Sequence, residues 1–215
     1  MIIFAAFIIF LLTAIISFIG SVQLGPVNIT VIRASVQKHY RSAVFIGLGG
    51  ALPELMYSAI ALKGSELLAQ YPFIINTMLL ICIPVFILVG IYLIYNNSKI
   101  KFNNQQDLQA PKSILKSIAV GFGIGLLNPI LLPFWIVVLS TYHQYELMII
   151  PSYLNNIAFI IGTAMGAFLL QYLVVVLLKK FNDKFENTLR KYANLVTAWM
   201  FILLGIFQLI SFLKK

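Results

Sequence analysis

Residues 2–32 of the chain read IIFAAFIIFLLTAIISFIGSVQLGPVNITVI, an apolar run whose helical pattern is interrupted at Gly25-Pro26. A helix that spans a bilayer needs roughly 20 apolar residues, so this stretch is longer than one straight span requires. It also exceeds the apolar core of a signal peptide. We therefore predict a first membrane-spanning helix, from Ile2 to about Ile32, that is broken at Pro26.

The rest of the chain has the same character. Of its 215 residues, 61% are hydrophobic and only 10% are charged, against about 25% charged in ordinary soluble domains. This composition excludes the soluble enzyme classes and indicates an integral membrane protein. Five further apolar segments complete a prediction of six transmembrane helices: Ser42–Leu62, Pro72–Tyr95, Ser117–Leu139, Tyr153–Leu178 and Ala193–Leu213.

Basic residues alternate between the loops. The loops after the first, third and fifth predicted helices hold 12 of the 15 Lys and Arg residues: Arg33, Lys38, Arg41, Lys99, Lys101, Lys112, Lys116, Lys179, Lys180, Lys184, Arg190 and Lys191. Because cytoplasmic loops are enriched in Lys and Arg, both termini are predicted to lie outside the cytoplasm. The same bias accounts for the net charge of +9, so no nucleic-acid partner is expected.

A polar connector, residues 96–116, divides the chain into two halves of three helices, residues 1–95 and 117–215. An odd number of spans per half implies that a repeat would be inverted across the membrane. Gly25-Pro26-Val27-Asn28 and Gly125-Leu126-Leu127-Asn128-Pro129 both combine Gly-x-x-Asn with a proline, in the first helix of each half. The predicted fold is therefore all-α, with two inverted three-helix repeats.

Both clusters are expected to break their helices near the middle of the membrane. Proline lacks an N–H group and its ring clashes with the carbonyl four residues back, whereas it is tolerated at a helix start. A break at similar depth in each inverted half is typical of a transporter binding site. The exposed N–H groups would attract a carboxylate, and Asn28 and Asn128 can donate and accept hydrogen bonds there. The alternative is that both clusters are simple kinks.

Glu54 is the acidic residue in the middle of a predicted span, directly after Pro53. A carboxyl group inside a membrane costs a few kcal/mol to insert, so it is a functional hypothesis by default. Glu54 could exchange a proton or pair with a cationic group of a substrate. The structural alternative is a neutral, hydrogen-bonded side chain.

The remaining polar and aromatic residues form no other recognisable site. No Cys, His or carboxylate cluster has metal-ligand spacing, so neither a metal nor a cofactor is expected. No serine has a base in its membrane layer, which argues against a catalytic site and an intramembrane enzyme. Glycine faces at 47–50, 121–125 and 162–166 allow close helix contact within one chain or between two, and we predict a homodimer. Trp135 and Trp199 are expected at the membrane interface or facing lipid, and not in a ligand cage.

These motifs resemble the LysE/RhtB family of amino-acid exporters, over nearly the whole chain. The resemblance implies a bacterial inner-membrane protein that exports amino acids or related small molecules, generally driven by the proton-motive force. It also implies that Gly25, Pro26, Asn128 and Pro129 belong to the site, with Glu54 in the acidic position. Glu54 stands where aspartate is commoner in the family, which leaves the substrate open.

Three functions remain open at the level of sequence. An amino-acid exporter accounts for the paired breaks and the embedded acid. A cation or metal-ion transporter on a related fold would need more oxygen or sulfur ligands than the spans supply. A membrane scaffold without transport activity accounts for the apolar composition but not for two breaks at the same depth.

The charge distribution predicts the orientation directly. A reporter that is active only outside the cytoplasm should be active when fused to the C-terminus, after Lys215, and inactive when inserted in the 96–116 connector, because the basic loops stay inside. The complementary cytoplasmic reporter is the control and should give the opposite pattern. A cytoplasmic C-terminus would contradict the orientation and indicate an odd number of spans.

Overall fold

The computed structural model describes residues 2–22, 26–68, 111, 113–128, 131–144 and 152–213, together with helical positions 80, 83, 84, 87, 88, 90–92, 94 and 95. All regular structure in these residues is helical, which confirms the all-α part of the predicted fold. Six helices have defined bounds: α1 Ile2–Gly20, α2 Pro26–Val36, α3 Tyr40–Leu68, α4 Ile114–Leu126, α5 Leu131–Gln144 and α6 Tyr153–Leu213.

Both predicted helix breaks are present. The first apolar run divides into α1 and α2, and α2 begins at Pro26, where the missing N–H group of proline costs nothing. The fourth predicted helix divides into α4 and α5, which are bent by 71° relative to each other. The proline-containing clusters therefore end helices rather than merely bending them.

Three described helices are long and apolar enough to cross a membrane, over Ile3–Gly20, Tyr40–Gly64 and Tyr153–Lys180. The bent pair α4 and α5 adds a fourth crossing if it forms one broken span and not a re-entrant loop. The predicted third span, Pro72–Tyr95, and the 96–116 connector lie largely outside the described residues, so the predicted six-span inverted repeat is not established by these helices.

The prediction of a loop between the fifth and sixth helices is wrong. Helix α6 continues without interruption from Tyr153 to Leu213, through the basic segment 179–191. That segment contains no glycine or proline, the residues that most strongly interrupt a helix. Its charged residues favour a loop when the sequence is considered alone, but a charged stretch is fully compatible with helical backbone.

A tight turn joins α2 to α3. The N–H groups of Lys38 and His39 donate to the carbonyls of Ser35 and Ala34, at 2.9 and 2.8 Å. Lys38 has φ 63°, the left-handed conformation that often ends a helix. The turn reverses the chain within three residues, and α2 therefore packs against α3.

Glycines allow α3 and α4 to touch along their backbones. A Cβ atom added to Gly121 would collide with the Ile46 carbonyl oxygen, and one added to Gly49 would collide with the Ile118 carbonyl oxygen. At Gly125 an added Cβ would lie 2.9 Å from the Gly50 carbonyl oxygen. These are the glycine faces at 47–50 and 121–125, and they meet each other within one chain.

The third glycine face is also filled within the chain. Added Cβ atoms at Gly162 and Gly166 would meet α1, the first 2.9 Å from the Phe10 carbonyl oxygen and the second 2.7 Å from Ser17 Cβ. The glycines therefore act as intrachain helix contacts. These glycine faces therefore give no support to the predicted homodimer.

Two apolar clusters flank the centre of the described helices. The first joins α1, α3, α5 and α6 and contains Trp135 and Phe159, which stack edge to face. The second joins α2, α3 and α6 around Val31 and Ile46. Large apolar side chains remain exposed along α1 and α6, as expected for helices that face lipid: Phe4, Phe7, Leu11, Ile15, Ile157, Ile161, Leu169 and Val176.

The α3–α4 contact yields a stability prediction. Gly121→Ala would place a methyl group against a backbone oxygen, which cannot move aside as a side chain can by changing its rotamer. We therefore expect destabilisation by about 1–3 kcal/mol. The measurement is the thermal unfolding midpoint of the purified protein in detergent. Gly123→Ala is the matched control, because its added Cβ meets no atom within 4 Å among the described residues. Equal midpoints for the two variants would contradict the close packing.

Candidate functional site

A cavity lies where the two broken helices meet α3 and α6. Its volume is about 60 Å³, enough for several water molecules or the polar end of a small molecule. Its walls come from α1, α2, α3, α4, α5 and α6, and they carry these polar side chains: Ser17, Ser21, Asn28, Glu54, Asn128, Trp135 and Gln171. A polar cavity inside an apolar helix assembly is a natural ligand site.

The structure brings four of the predicted site residues together. Pro26, Asn28, Glu54 and Asn128 all line the cavity. The other two, Gly25 and Pro129, lie outside the described residues. Residues that are 100 positions apart in the two halves, Asn28 and Asn128, therefore border the same space.

Helix ends converge on the cavity as well. The N-terminal ends of α2 and α5 reach it at Pro26 and Leu131, and the C-terminal ends of α1 and α4 reach it at Gly20 and Gly125. Exposed N–H groups give a helix start partial positive charge, and exposed carbonyls give a helix end partial negative charge. The cavity can thus bind an anionic group and a cationic group at different points of its wall.

Glu54 is positioned by α3 and held by a tryptophan. Its side chain is 6% exposed, and its Oε2 accepts a hydrogen bond from Trp135 Nε1 at 2.5 Å. An indole N–H can only donate, so this bond orients the carboxyl group in either protonation state. Trp135 is fully buried, and its predicted position at the lipid interface is wrong. Trp199, which is 54% exposed, does lie on the surface of the described helices.

A chain of amides crosses from α1 to α6. Asn28 Nδ2 donates to the Ser21 carbonyl at 2.7 Å, and Gln171 Nε2 donates to Asn28 Oδ1. Gln171 Oε1, by contrast, is buried and accepts no hydrogen bond from any residue that the structure describes. A buried acceptor without a partner costs about 1–3 kcal/mol, so its presence beside a cavity needs an explanation.

Hydroxyl groups form hydrogen bonds to backbone carbonyls near the two breaks. Tyr57 donates to the Leu126 carbonyl, the last residue of α4, at 2.6 Å. Ser17, one turn before the end of α1, donates to the Thr163 carbonyl of α6 at 2.5 Å. These bonds satisfy polar atoms that an apolar environment would otherwise leave exposed, and they fix α1 and α4 against their neighbours.

Comparison with protein families gives a match over most of the chain. The model of the LysE type translocators matches residues 18–211, a range that includes every residue lining the cavity except Ser17. The chain belongs to the LysE type translocator family. Neither the curated proteins nor the solved structures yield a match to it. Membership and the apolar helices together make the chain a multi-pass membrane transporter, and members of the family are transporters rather than enzymes.

Four polar residues of this translocator's cavity were not predicted as site residues: Ser17, Ser21, Trp135 and Gln171. Gln171 had a usable signal, because it is an amide in the middle of the apolar segment 153–178. Unlike Asn28 and Asn128, it stands beside no proline, and it was therefore not predicted. Trp135 had no such signal, since a tryptophan in a span can face lipid or the interior equally well.

Among the described residues, no three His, Cys, Asp or Glu side chains lie close enough together to hold a metal ion.

The Trp135–Glu54 hydrogen bond can be tested with a double-mutant cycle in the purified translocator. Trp135→Phe should lower the free energy of unfolding by about 1–3 kcal/mol, because a buried carboxyl oxygen loses its donor. In a Glu54→Leu background the same change should cost less, since the acceptor is gone. Trp199→Phe is the control and should change stability by under about 0.5 kcal/mol. Additive costs in the cycle would show that the two side chains do not interact.

Proposed function

We propose that this translocator exports amino acids or closely related small molecules across the bacterial inner membrane, and that the proton-motive force drives the export. One observation carries the proposal: the two helix breaks and the buried carboxyl of Glu54 border the same cavity. Family membership supports transport of this general kind. The cavity supplies groups of both polarities, which suits a zwitterionic substrate.

The substrate carboxylate would bind where α2 and α5 begin. Both helix starts border the cavity, at Pro26 and Leu131, and helix N-termini attract anions through their unpaired N–H groups. Asn28 and Asn128 would add side-chain hydrogen bonds from each half of the chain. Gly25 and Pro129, which flank the breaks, belong to the same proposed site.

Glu54 would carry the coupling proton or contact the substrate amine. Its carboxyl group is buried in the wall of the cavity and held there by Trp135. Each proton that Glu54 releases or takes up would change the charge that the substrate meets. Coupling between proton and substrate then needs no further charged group in the cavity.

The transport cycle we propose uses the two halves of the chain, residues 1–95 and 117–215, joined by the 96–116 connector. One half would rock against the other so that the cavity opens to each side of the membrane in turn. The distribution of basic residues supports both termini lying outside the cytoplasm, whereas the uninterrupted α6 provides no turn between its two apolar segments. Assembly as a homodimer is compatible with this cycle, because each chain has its own cavity.

Efflux from cells tests the proposed function. Bacteria that express the chain should release one or more labelled amino acids faster than matched cells that lack it, and a protonophore should abolish the difference. The panel should contain basic, neutral and acidic amino acids, since the substrate class is open. Equal efflux of every amino acid from both strains would overturn the proposal, and divalent-cation efflux in the same strains would then test the alternative transporter.

Glu54→Gln separates coupling from binding. Glutamine keeps the size of the side chain but cannot release a proton, so in proteoliposomes we expect substrate movement against its gradient to be lost while exchange down the gradient survives. Glu66→Gln, the same change about three turns further along α3, is the control and should leave both assays unchanged. If Glu54 contacts a cationic substrate instead, exchange of lysine or arginine will fall as well. Unchanged rates for Glu54→Gln in both assays would remove Glu54 from the mechanism.

A further inference from the structure

Gln171 is a cavity residue to which the proposed transport cycle assigns no role. It lies on α6, its side chain is 5% exposed, and it borders the cavity together with Glu54. Its Nε2 donates to Asn28, whereas its Oε1 accepts no hydrogen bond within the described part of the chain. An amide that is satisfied on one side only and buried beside a cavity is positioned for a ligand rather than for packing.

The break in the first apolar run determines which atom of the Gln171 amide, nitrogen or oxygen, faces Asn28. Ser21 follows the last residue of α1, so its carbonyl has no partner in a continuing helix. A carbonyl can only accept, so Asn28 must turn its Nδ2 towards Ser21, as observed. Asn28 Oδ1 then faces Gln171, which must donate through Nε2. The broken helix therefore determines that one amide hydrogen of Gln171 is used by Asn28, while its oxygen stays available for a further partner.

A close helix contact holds Gln171 in place. A Cβ atom added to Gly47 of α3 would lie only 2.6 Å from Gln171 Cβ. The absence of a side chain at Gly47 thus allows α6 to bring the glutamine against α3, the helix that carries Glu54. The two oxygen-bearing side chains enter one cavity from neighbouring helices.

We propose that Gln171 Oε1 accepts a hydrogen bond from the ammonium group of the substrate and makes the site selective for a free amino group. The inference rests on the proposed function, that the substrate is an amino acid. An ammonium group has three donors and no acceptor, so it suits a wall made of the Gln171 carbonyl and the Glu54 carboxyl group. It would satisfy Gln171 Oε1 without disturbing the bond to Asn28.

The test uses the purified full-length chain and measures ligand-induced thermal stabilisation and dissociation constants. The probes are the proteinogenic amino acids, each paired with the carboxylic acid that lacks its α-amino group. Ligands that bind only the folded protein raise its unfolding midpoint. For the amino acids that bind, Gln171→Met should weaken binding roughly tenfold or more, while binding of the desamino acids should not change. Leu173→Met is the matched control on the lipid-facing side of α6 and should bind both classes like the wild type.

Two other results would overturn the inference in different ways. If Gln171→Met weakens amino acids and desamino acids equally, Gln171 only tethers Asn28, and the proposed function stands without it. If no amino acid stabilises the wild-type chain, the proposed function itself fails, and the inference fails with it.

A second variant covers the case in which Gln171→Met does not fold. Gln171→Glu keeps an acceptor oxygen in either protonation state but has no amide N–H for Asn28. If the oxygen contacts the ammonium group, this variant will retain the preference for amino acids over desamino acids. Loss of that preference in Gln171→Glu would indicate that the bond to Asn28, and not the contact with substrate, is what matters.

Discussion

The structure depends on one constraint: a helix that breaks inside an apolar environment exposes backbone groups that water cannot satisfy. The helical structure breaks after α1 and after α4, and at each break a side chain donates a hydrogen bond to a backbone carbonyl. Asn28 donates to the Ser21 carbonyl after α1, and Tyr57 donates to the Leu126 carbonyl at the end of α4. The remaining helix ends face a common cavity, where a ligand can use them.

Close helix contact is what brings the breaks together. Gly49, Gly50, Gly121 and Gly125 let α3 and α4 approach backbone to backbone, and small residues are the usual means of such packing where no hydrophobic effect drives helices together. An added Cβ at Gly50 would also collide with Val27, next to Pro26. One stretch of α3 therefore contacts both broken helices, and Glu54 lies one turn further along it.

The polar groups of the cavity are not equally satisfied. Glu54 is held by Trp135, and Asn28 is bonded on both sides of its amide. Among the described residues that line the cavity, Gln171 Oε1 is a fully buried atom that lacks a hydrogen bond. Polar groups buried in a membrane protein are costly, so a group left incomplete is more readily explained by a transient partner than by stability. This asymmetry marks Gln171 Oε1 as an acceptor that is available to a substrate.

The sequence by itself determined the protein class, the two helix breaks and the embedded carboxyl group. Apolar length, the missing N–H of proline and the rarity of acids in spans are properties of single residues and their neighbours, and they do not depend on packing. The continuity of α6 could also be predicted from the sequence, because 179–191 lacks glycine and proline. The charges of this segment favour a loop only if that absence is ignored.

Only the tertiary structure decided which polar side chains share the cavity. Trp135 and Gln171 lie on different helices from Glu54 and Asn28, and nothing in their local sequence indicates which side chains they meet. Their pairing depends on how far glycines let α3, α4 and α6 approach one another. A hydrogen bond between residues 81 or 143 positions apart exists only once those distances are set, because hydrogen bonds form over about 3 Å and the pattern of a single helix carries no information at that range.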